Sequence, residues 1–424
     1  MSQAPLRVCL DARFPDGQAG GLQQVVIGLA SSFSEFTEAS EEYYFLGGPE
    51  TQAWLQPYLR GPCKLLPMAP PAPPSGLALA KKTLFSAAPV IQRAWQQVRS
   101  VLPPKPIKLP PSDGTIEKAG IDLMHFTWQH AFLTDVPSIY QPHDLLHVHF
   151  PELFKPTDVS WREAAYGIFC QRASLVSIMS TWGKQDLVDH YGLPPDKVII
   201  VPWAPVISSY PIPTRQELLA TAQKFSLPAQ FVFYPAQTYA HKNHLLLLEV
   251  LALLRDEHGV RIPLVSSGTK NNFFATIEQR VHALGLEDQV QFLGYVTPVE
   301  LQCLYRLSRC MVFPSKFEGW GLPIVEAFLA KLPVACSNAT VLPALVGDAA
   351  LIFDCSSPTK MAAAIKEIWT DEQLRKHLAA RGEQRAKLFS WARTARMFRA
   401  HYRQLAKRPL TGEDRELLAA RPIV

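Results

Sequence analysis

Two glutamates eight residues apart, Glu318 and Glu326, lie in a segment made of a short apolar run, a loop with Gly319 and Gly321, and a proline, Pro323, that opens the next apolar stretch. An ionised carboxylate only accepts hydrogen bonds, so two of them in one crevice suit a ligand rich in hydroxyls. The run at 310–313 reads as a strand that stops at Pro314 and Ser315. Proline is favoured in the first turn of a helix, so Pro323 marks a helix start. Ligands of open α/β sheets bind beyond the C-terminal ends of strands. Glycines there admit a ligand to the backbone, and a helix N-terminus attracts its negative charge. Glu318 then falls in the loop and Glu326 about one turn into the helix. For either glutamate alone, a loop-to-helix connection whose Glu is favoured by the helix dipole is the plain alternative.

Other candidate residues follow other strand ends. Lys242 stands between an apolar run and a helical pattern, where its ammonium can meet a pyrophosphate as a flexible point charge. Gly20 and Gly21 join the first apolar run to a helical pattern, but not at the GxGxxG spacing of a dinucleotide fingerprint. His143 and Asp144 follow the short run at 138–140. His143, His147 and His149 are residue types that bind metals. Two of them at i, i+4 would need a helix, and Pro142 and Pro151 bracket the stretch, so no metal is expected. His147 and His149 read as core or surface histidines, and Ser180 reads as a helix N-cap.

The segment 313–327 resembles the Glu-x7-Glu motif of the retaining glycosyltransferase group 1 family (family 4, GT-B fold), and the order of motifs is similar to that family from about residue 5 to about residue 405. The resemblance implies an α/β fold of two Rossmann-like domains with parallel sheets facing across a cleft. It implies that Glu326 binds the donor ribose, that Glu318 lies by the donor sugar, and that amides around Gly319, Trp320, Gly321 and Leu322 contact sugar and phosphate. It places Lys242 on the diphosphate, and brings Gly20 and Gly21 to the donor from across the cleft. His143 would reach the sugar from the acceptor side, with Asp144 as its orienter or as an acceptor contact. The family sets an arginine beside the lysine; here that place falls near Ala236 or Gln237, so half of the usual phosphate clamp is missing or supplied elsewhere. Where the family often has a glutamate after Leu-Pro, this chain has Ala344.

The variant with Pro235-Ala236-Gln237 and His241-Lys242-Asn243-His244 resembles a bacterial subgroup that includes mannosyltransferases of surface polysaccharides. That implies a hexosyltransferase with a nucleotide-sugar donor, GDP-mannose, and a glycan or lipid-linked acceptor, working without a cofactor. No dedicated nucleophile is evident, which fits the family's same-face route through a short-lived oxocarbenium pair. A nucleotide-sugar epimerase of the same fold and a non-catalytic nucleotide-sugar-binding subunit are the rival readings.

Two α/β units are needed to position these residues. Apolar runs at 6–10, 121–126, 138–140, 175–179 and 198–201 accompany a helical pattern at 22–33. A second series at 231–234, 262–266, 290–292, 310–313 and 334–337 encloses helical patterns at 243–257, 272–284, 298–306 and 322–331. Runs of this length separated by helices argue for parallel strands with crossover helices. The break falls in the Pro-rich stretch 202–228. The expected domains are 1–205 and 206–385, followed by 386–424, whose helix carries Trp391, Met397, Phe398 and Tyr402 and in this fold type crosses back to the first domain. A basic, Pro-rich insertion at about 67–110 breaks the rhythm. Apolar residues recur at helical spacing over 90–102. Such a helix either lies on an anionic membrane surface or packs its stripe into the core.

The chain has 424 residues, 48% of them apolar and 19% charged, which supports a sizeable core. Its net charge of +5 fits an anionic ligand or a peripheral membrane contact and is too weak to indicate nucleic acid. Seven cysteines, an odd number with no CxxC pair, read as reduced thiols of a cytoplasmic protein. No apolar stretch approaches the ~20 residues that span a bilayer, and no signal core is visible, so the expected location is cytoplasmic with a peripheral contact at the inner face of the membrane.

Overall fold

The computed structural model describes residues 4–14, 21–38, 40–68, 107–206 and 212–424. Gly20 and the amphipathic stretch 90–102 lie outside the described residues. Among those described, the strands form two sheets. The first contains β1 (Leu6–Asp11), β2 (Glu41–Gly47), β3 (Cys63–Pro67), β4 (Leu123–Phe126), β5 (Ser138–Tyr140), β6 (Leu175–Ile178) and β7 (Val198–Ile200), in the order β3-β2-β1-β4-β5-β6-β7. The second contains β8 (Val232–Pro235), β9 (Leu264–Ser267), β10 (Val290–Phe292), β11 (Cys310–Phe313), β12 (Val334–Ser337) and β13 (Ala350–Phe353), in the order β10-β9-β8-β11-β12-β13. Every pairing is parallel, with Val8 opposite Leu123 and Cys310 opposite Val232 at the centres.

The central strands β4, β9, β11 and β12 are buried at every residue. Parallel strands covered on both faces have no solvent side, so they read as continuous apolar runs rather than alternations. That is why they were visible in the sequence. β2, β3 and β13 were not. β2 begins with Glu41 and Glu42, and β3 and β13 carry partly exposed residues.

Strand order reverses between β1 and β4 in the first sheet and between β8 and β11 in the second. Open α/β sheets take ligands at such switch points, beyond the C-terminal strand ends. The loops after β1, β8 and β11 follow strands at these switch points, and the β5 loop, which carries His143 and Asp144, follows the strand next to β4.

After the second sheet the helix Trp391–Leu405 returns to the first. It packs on the helix Gly21–Phe33, its Thr394 hydroxyl donates to the Pro202 carbonyl at 2.7 Å, and the Tyr402 hydroxyl lies 2.6 Å from His125 Nδ1 under β4. Helix starts follow the local chemistry. Ser180 caps its helix by accepting from the Gly183 amide at 3.0 Å, and Thr214, Thr297 and Thr411 each close a capping box. All seven cysteines are free thiols, six buried and Cys355 half-buried. No helix among the described residues is long and apolar enough to cross a membrane.

Candidate active site

The β11 loop carries Glu318 and its helix, Leu322–Leu329, carries Glu326. Glu318 is fixed by Thr340, whose hydroxyl accepts from the Glu318 amide at 3.1 Å and donates to the Glu318 carbonyl at 2.7 Å. Its carboxylate Oε1 accepts from Lys242 Nζ at 2.6 Å. Lys242 ends a short turn after β8. The Tyr234 hydroxyl donates to the Lys242 carbonyl at 2.6 Å. Asn243 then takes a left-handed conformation (φ 62°), and its side-chain amide donates to the carbonyls of Pro314 and Cys355 at 3.1 and 3.0 Å. These bonds tie the β8 turn to the β11 loop, so the two charged side chains meet by construction.

Gly321 has φ 127°, a conformation that side chains resist, and it turns the chain into the helix Leu322–Leu329 with Pro323 in its first turn. Trp320 is buried with its ring edge-on to Phe389 at 5.6 Å. Leu322 is half-buried against the core. Glu326 is buried, and its Oε2 accepts from the Tyr305 hydroxyl at 2.7 Å. Burial holds its carboxyl up at about 6; bonds from Tyr305 and from the Gln24 side chain oppose that rise.

Gln24 belongs to the helix Gly21–Phe33 of the first sheet, so its bond to Glu326 crosses between the two halves. A second crossing occurs at Gly319. A β-carbon there would stand 2.9 Å from Asp144 Cβ and 3.0 Å from the His143 carbonyl, and only glycine permits this approach. A third is Phe317, whose ring lies 5.2 Å from His149, 6.0 Å from Phe150 and 5.6 Å from Trp182. The β5 loop and the β11 loop therefore close on each other.

His143 has φ 69°, strained for a non-glycine residue. Its ring is buried edge-on to Trp203 at 4.9 Å, and neither ring nitrogen finds a partner among the described residues. Burial pulls its pKa down to about 3, so the imidazole is neutral. Asp144 accepts from the Leu146 amide at 3.0 Å, and burial raises its carboxyl. Asp144 also senses the charges of Glu318 and Lys242, a further sign of how near the two halves stand.

His147 and His149 lie on a one-turn helix, Leu146–His149, which stops short of His143, so the i, i+4 pair His143 and His147 shares no helix. Both helix histidines face carboxylates. His147 is 3.5 Å from Glu163 and His149 is 2.8 Å from Asp186. No group of three metal-binding side chains occurs among the described residues. Gly21 opens its helix at the switch point after β1. Gln24, Tyr305 and Thr340 were missed from the sequence, since glutamine, tyrosine and threonine at those spacings carry no signal without the fold.

Residues 217–385 match the model of the family described as glycosyl transferases group 1, a span that holds the whole second sheet. The chain is 32% identical over 250 residues to O-antigen chain mannosyltransferase B of Escherichia coli, covering 59% of this chain and 65% of that one. It is 28% identical over 233 residues to the serotype-specific mannosyltransferase WbdA of Escherichia coli, covering 54% of this chain and 28% of the relative. The chain thus spans less than two thirds of either relative. The crystal structure of Anabaena Alr3699/HepE in complex with UDP and glucose superimposes with TM-score 0.67 at 18% identity, covering 93% of this chain and 99% of that one. The fold is therefore GT-B, two Rossmann-like units of parallel sheet.

Proposed function

We propose that this chain is a retaining group 1 glycosyltransferase that moves mannose from GDP-mannose to a glycan or lipid-linked acceptor. The observation that carries the reading is the meeting of the β5 and β11 loops at Gly319 and Asp144, beside the Lys242–Glu318 pair. Such a site draws one face from each half, as a transfer between two bound substrates requires. The mannosyl assignment is supported by the two Escherichia coli relatives, and the family match of the second half supports glycosyl transfer.

Glu326 would accept hydrogen bonds from the ribose hydroxyls, and Lys242 with the amides around Gly319–Leu322 would hold the diphosphate. Negative charge grows on the leaving phosphate as the sugar–oxygen bond breaks. A preorganised ammonium and helix terminus stabilise that charge most where water is excluded. Glu318 would accept from the sugar hydroxyls once Lys242 turns to the diphosphate. The neutral His143 can donate one hydrogen bond to a sugar hydroxyl without adding a charge. The acceptor hydroxyl would approach from the first-sheet side on the face the leaving group vacates. No carboxylate need form a covalent intermediate in that route.

The test is incubation of the purified chain with GDP-mannose, GDP-glucose and UDP-glucose plus a mannose-terminated acceptor, with the glycoside linkage read by NMR. An α-mannoside made from GDP-mannose supports the proposal. Donor hydrolysis without a glycoside, or an epimerised nucleotide sugar as the product, overturns it.

A further inference from the structure

A cavity of about 460 Å³ lies between the outer strand β7 and the last helices of the chain. One face of the helix Trp391–Leu405 lines it through Arg393, Met397, His401 and Leu405, each about one turn after the last. Lys184 and Arg421 reach the same space. Among the described residues none of Lys184, Arg393 and Arg421 forms an ion pair. Two buried polar atoms, Arg393 Nε and His401 Nδ1, have no hydrogen-bond partner among the described residues. The buried Arg393 Nε and His401 Nδ1 are costly to leave unpaired, and the three cations around the same space, half-buried or exposed, attract an anion.

The charges are not scattered. The Thr394 bond to Pro202 fixes the Arg393 end of the helix at the C-terminal end of β7. The Thr181 amide donates to a main-chain oxygen of Val424 at 2.9 Å, which brings the segment around Arg421 to the start of the helix that bears Lys184. All three cations therefore belong to the end of the cavity at the C-terminal ends of β6 and β7. Leu405 lies about 18 Å along the helix from Arg393. There the walls are Leu175 and Val198, the first residues of β6 and β7, and Asp196, the lining carboxylate, precedes β7 at this far end. Met397, Leu417 and Leu418 form the walls between.

We propose that this cavity binds an anionic amphiphile, a phosphate monoester with a hydrocarbon chain, its head on Lys184, Arg393 and Arg421 and its tail toward Leu405. The inference goes beyond sugar transfer and does not depend on it. A bare phosphate would leave the apolar length unused, and an uncharged chain would leave the cations unpaired.

Calorimetric titration of the full chain with monomeric dodecyl phosphate tests this. The expected result is binding at least about tenfold tighter than for either dodecanol or inorganic phosphate, since both ends of the cavity contribute. Arg393→Gln and Arg421→Gln should each weaken it about tenfold, leaving GDP-mannose binding unchanged. Arg421 is exposed, so its variant remains informative if the Arg393 variant fails to fold. A second arm uses phosphatidylcholine vesicles doped with phosphatidic acid. Capture by those vesicles without binding of soluble dodecyl phosphate overturns the proposal, because the site is then a surface. Equal affinity for dodecanol or for inorganic phosphate, or affinity untouched by both substitutions, overturns it as well.

Discussion

Lys242 Nζ lies 2.6 Å from Glu318 Oε1, with side chains 18% and 11% exposed. The cation suited to a diphosphate and the carboxylate suited to a sugar thus neutralise each other before any ligand arrives. Binding must exchange this pair for two new ones. That gives the two substitutions opposite signatures. Lys242→Met should weaken both GDP and GDP-mannose by 10- to 100-fold, the loss of about 1.5–3 kcal/mol from one charge-assisted hydrogen bond. Glu318→Gln should strengthen GDP several-fold by freeing Lys242, yet lower the rate of mannosyl transfer. Titration calorimetry with GDP and GDP-mannose on both variants checks this, and equal weakening of GDP by both would refute the exchange.

Gly319 is where the halves touch. Its missing side chain leaves room for Asp144 Cβ at 2.9 Å and the His143 carbonyl at 3.0 Å from where a β-carbon would stand. Gly319→Ala must push the β5 loop away, and overpacking of this kind costs about 1–3 kcal/mol. Donor groups on the second half stay in place while the acceptor side retreats. The expected outcome is a donor Kd within a few-fold of the parent and a kcat lowered by at least about tenfold. A matched loss of donor affinity would place Gly319 in the donor site alone.

Glu326 supplies a pH dependence with a definite sign. Burial raises its carboxyl to about 6 from an ordinary 4.5. The folded chain holds that proton more tightly than the unfolded one. Its contribution to stability is therefore fully present below about pH 4.5 and lost as pH rises through 6, an effect of about 2 kcal/mol at 1.36 kcal/mol per unit. Glu326→Gln should remove it, so urea midpoints of the variant gain on the parent across that window. Donor affinity should move the other way. The ribose needs an acceptor, so GDP binding in the parent should strengthen as pH rises through about 6 more steeply than in the variant, where only the phosphate of GDP titrates over that range.

How much of this was legible follows from what each residue type signals. The segment around Glu318 and Glu326 could be read because a strand, glycines, a proline and two carboxylates coincide within fifteen positions, and each constrains the backbone or the chemistry. Strands buried on both faces were legible as apolar runs, whereas β2, with Glu41 buried in it, was not. Glu41 is tolerated inside because Arg403, 362 residues later, reaches it, with the adjacent Ser40 hydroxyl donating to its other oxygen. Local pattern holds no trace of such a partner. The same applies to Gln24 and Tyr305, whose meaning lies in the carboxylate they share. His143 was singled out by its place after β5, but its left-handed backbone and neutral ring needed the packing of Trp203 to be seen.

Arg403 itself carries the last prediction. It is 4% exposed and donates to Glu41 at 2.5 Å, to Asp414 at 2.8 Å and to Glu38 at 2.9 Å. Glu41 belongs to β2, and Asp414 closes the capping box of the helix Gly412–Ala419. One guanidinium thus binds the end of the chain to the first sheet. Arg403→Leu keeps the apolar stem but leaves Glu41 and Asp414 buried without a counter-charge, which costs about 3–5 kcal/mol. Arg403→Lys should recover only part, because an ammonium cannot present the planar fork that reaches three carboxylates at once. Replacing Glu41 by Gln and Asp414 by Asn together with Arg403→Leu should cost less than Arg403→Leu alone, since the stranded charges are then gone. Thermal unfolding of the four proteins settles the order. A triple variant no more stable than Arg403→Leu would mean that Arg403 acts by packing rather than by charge.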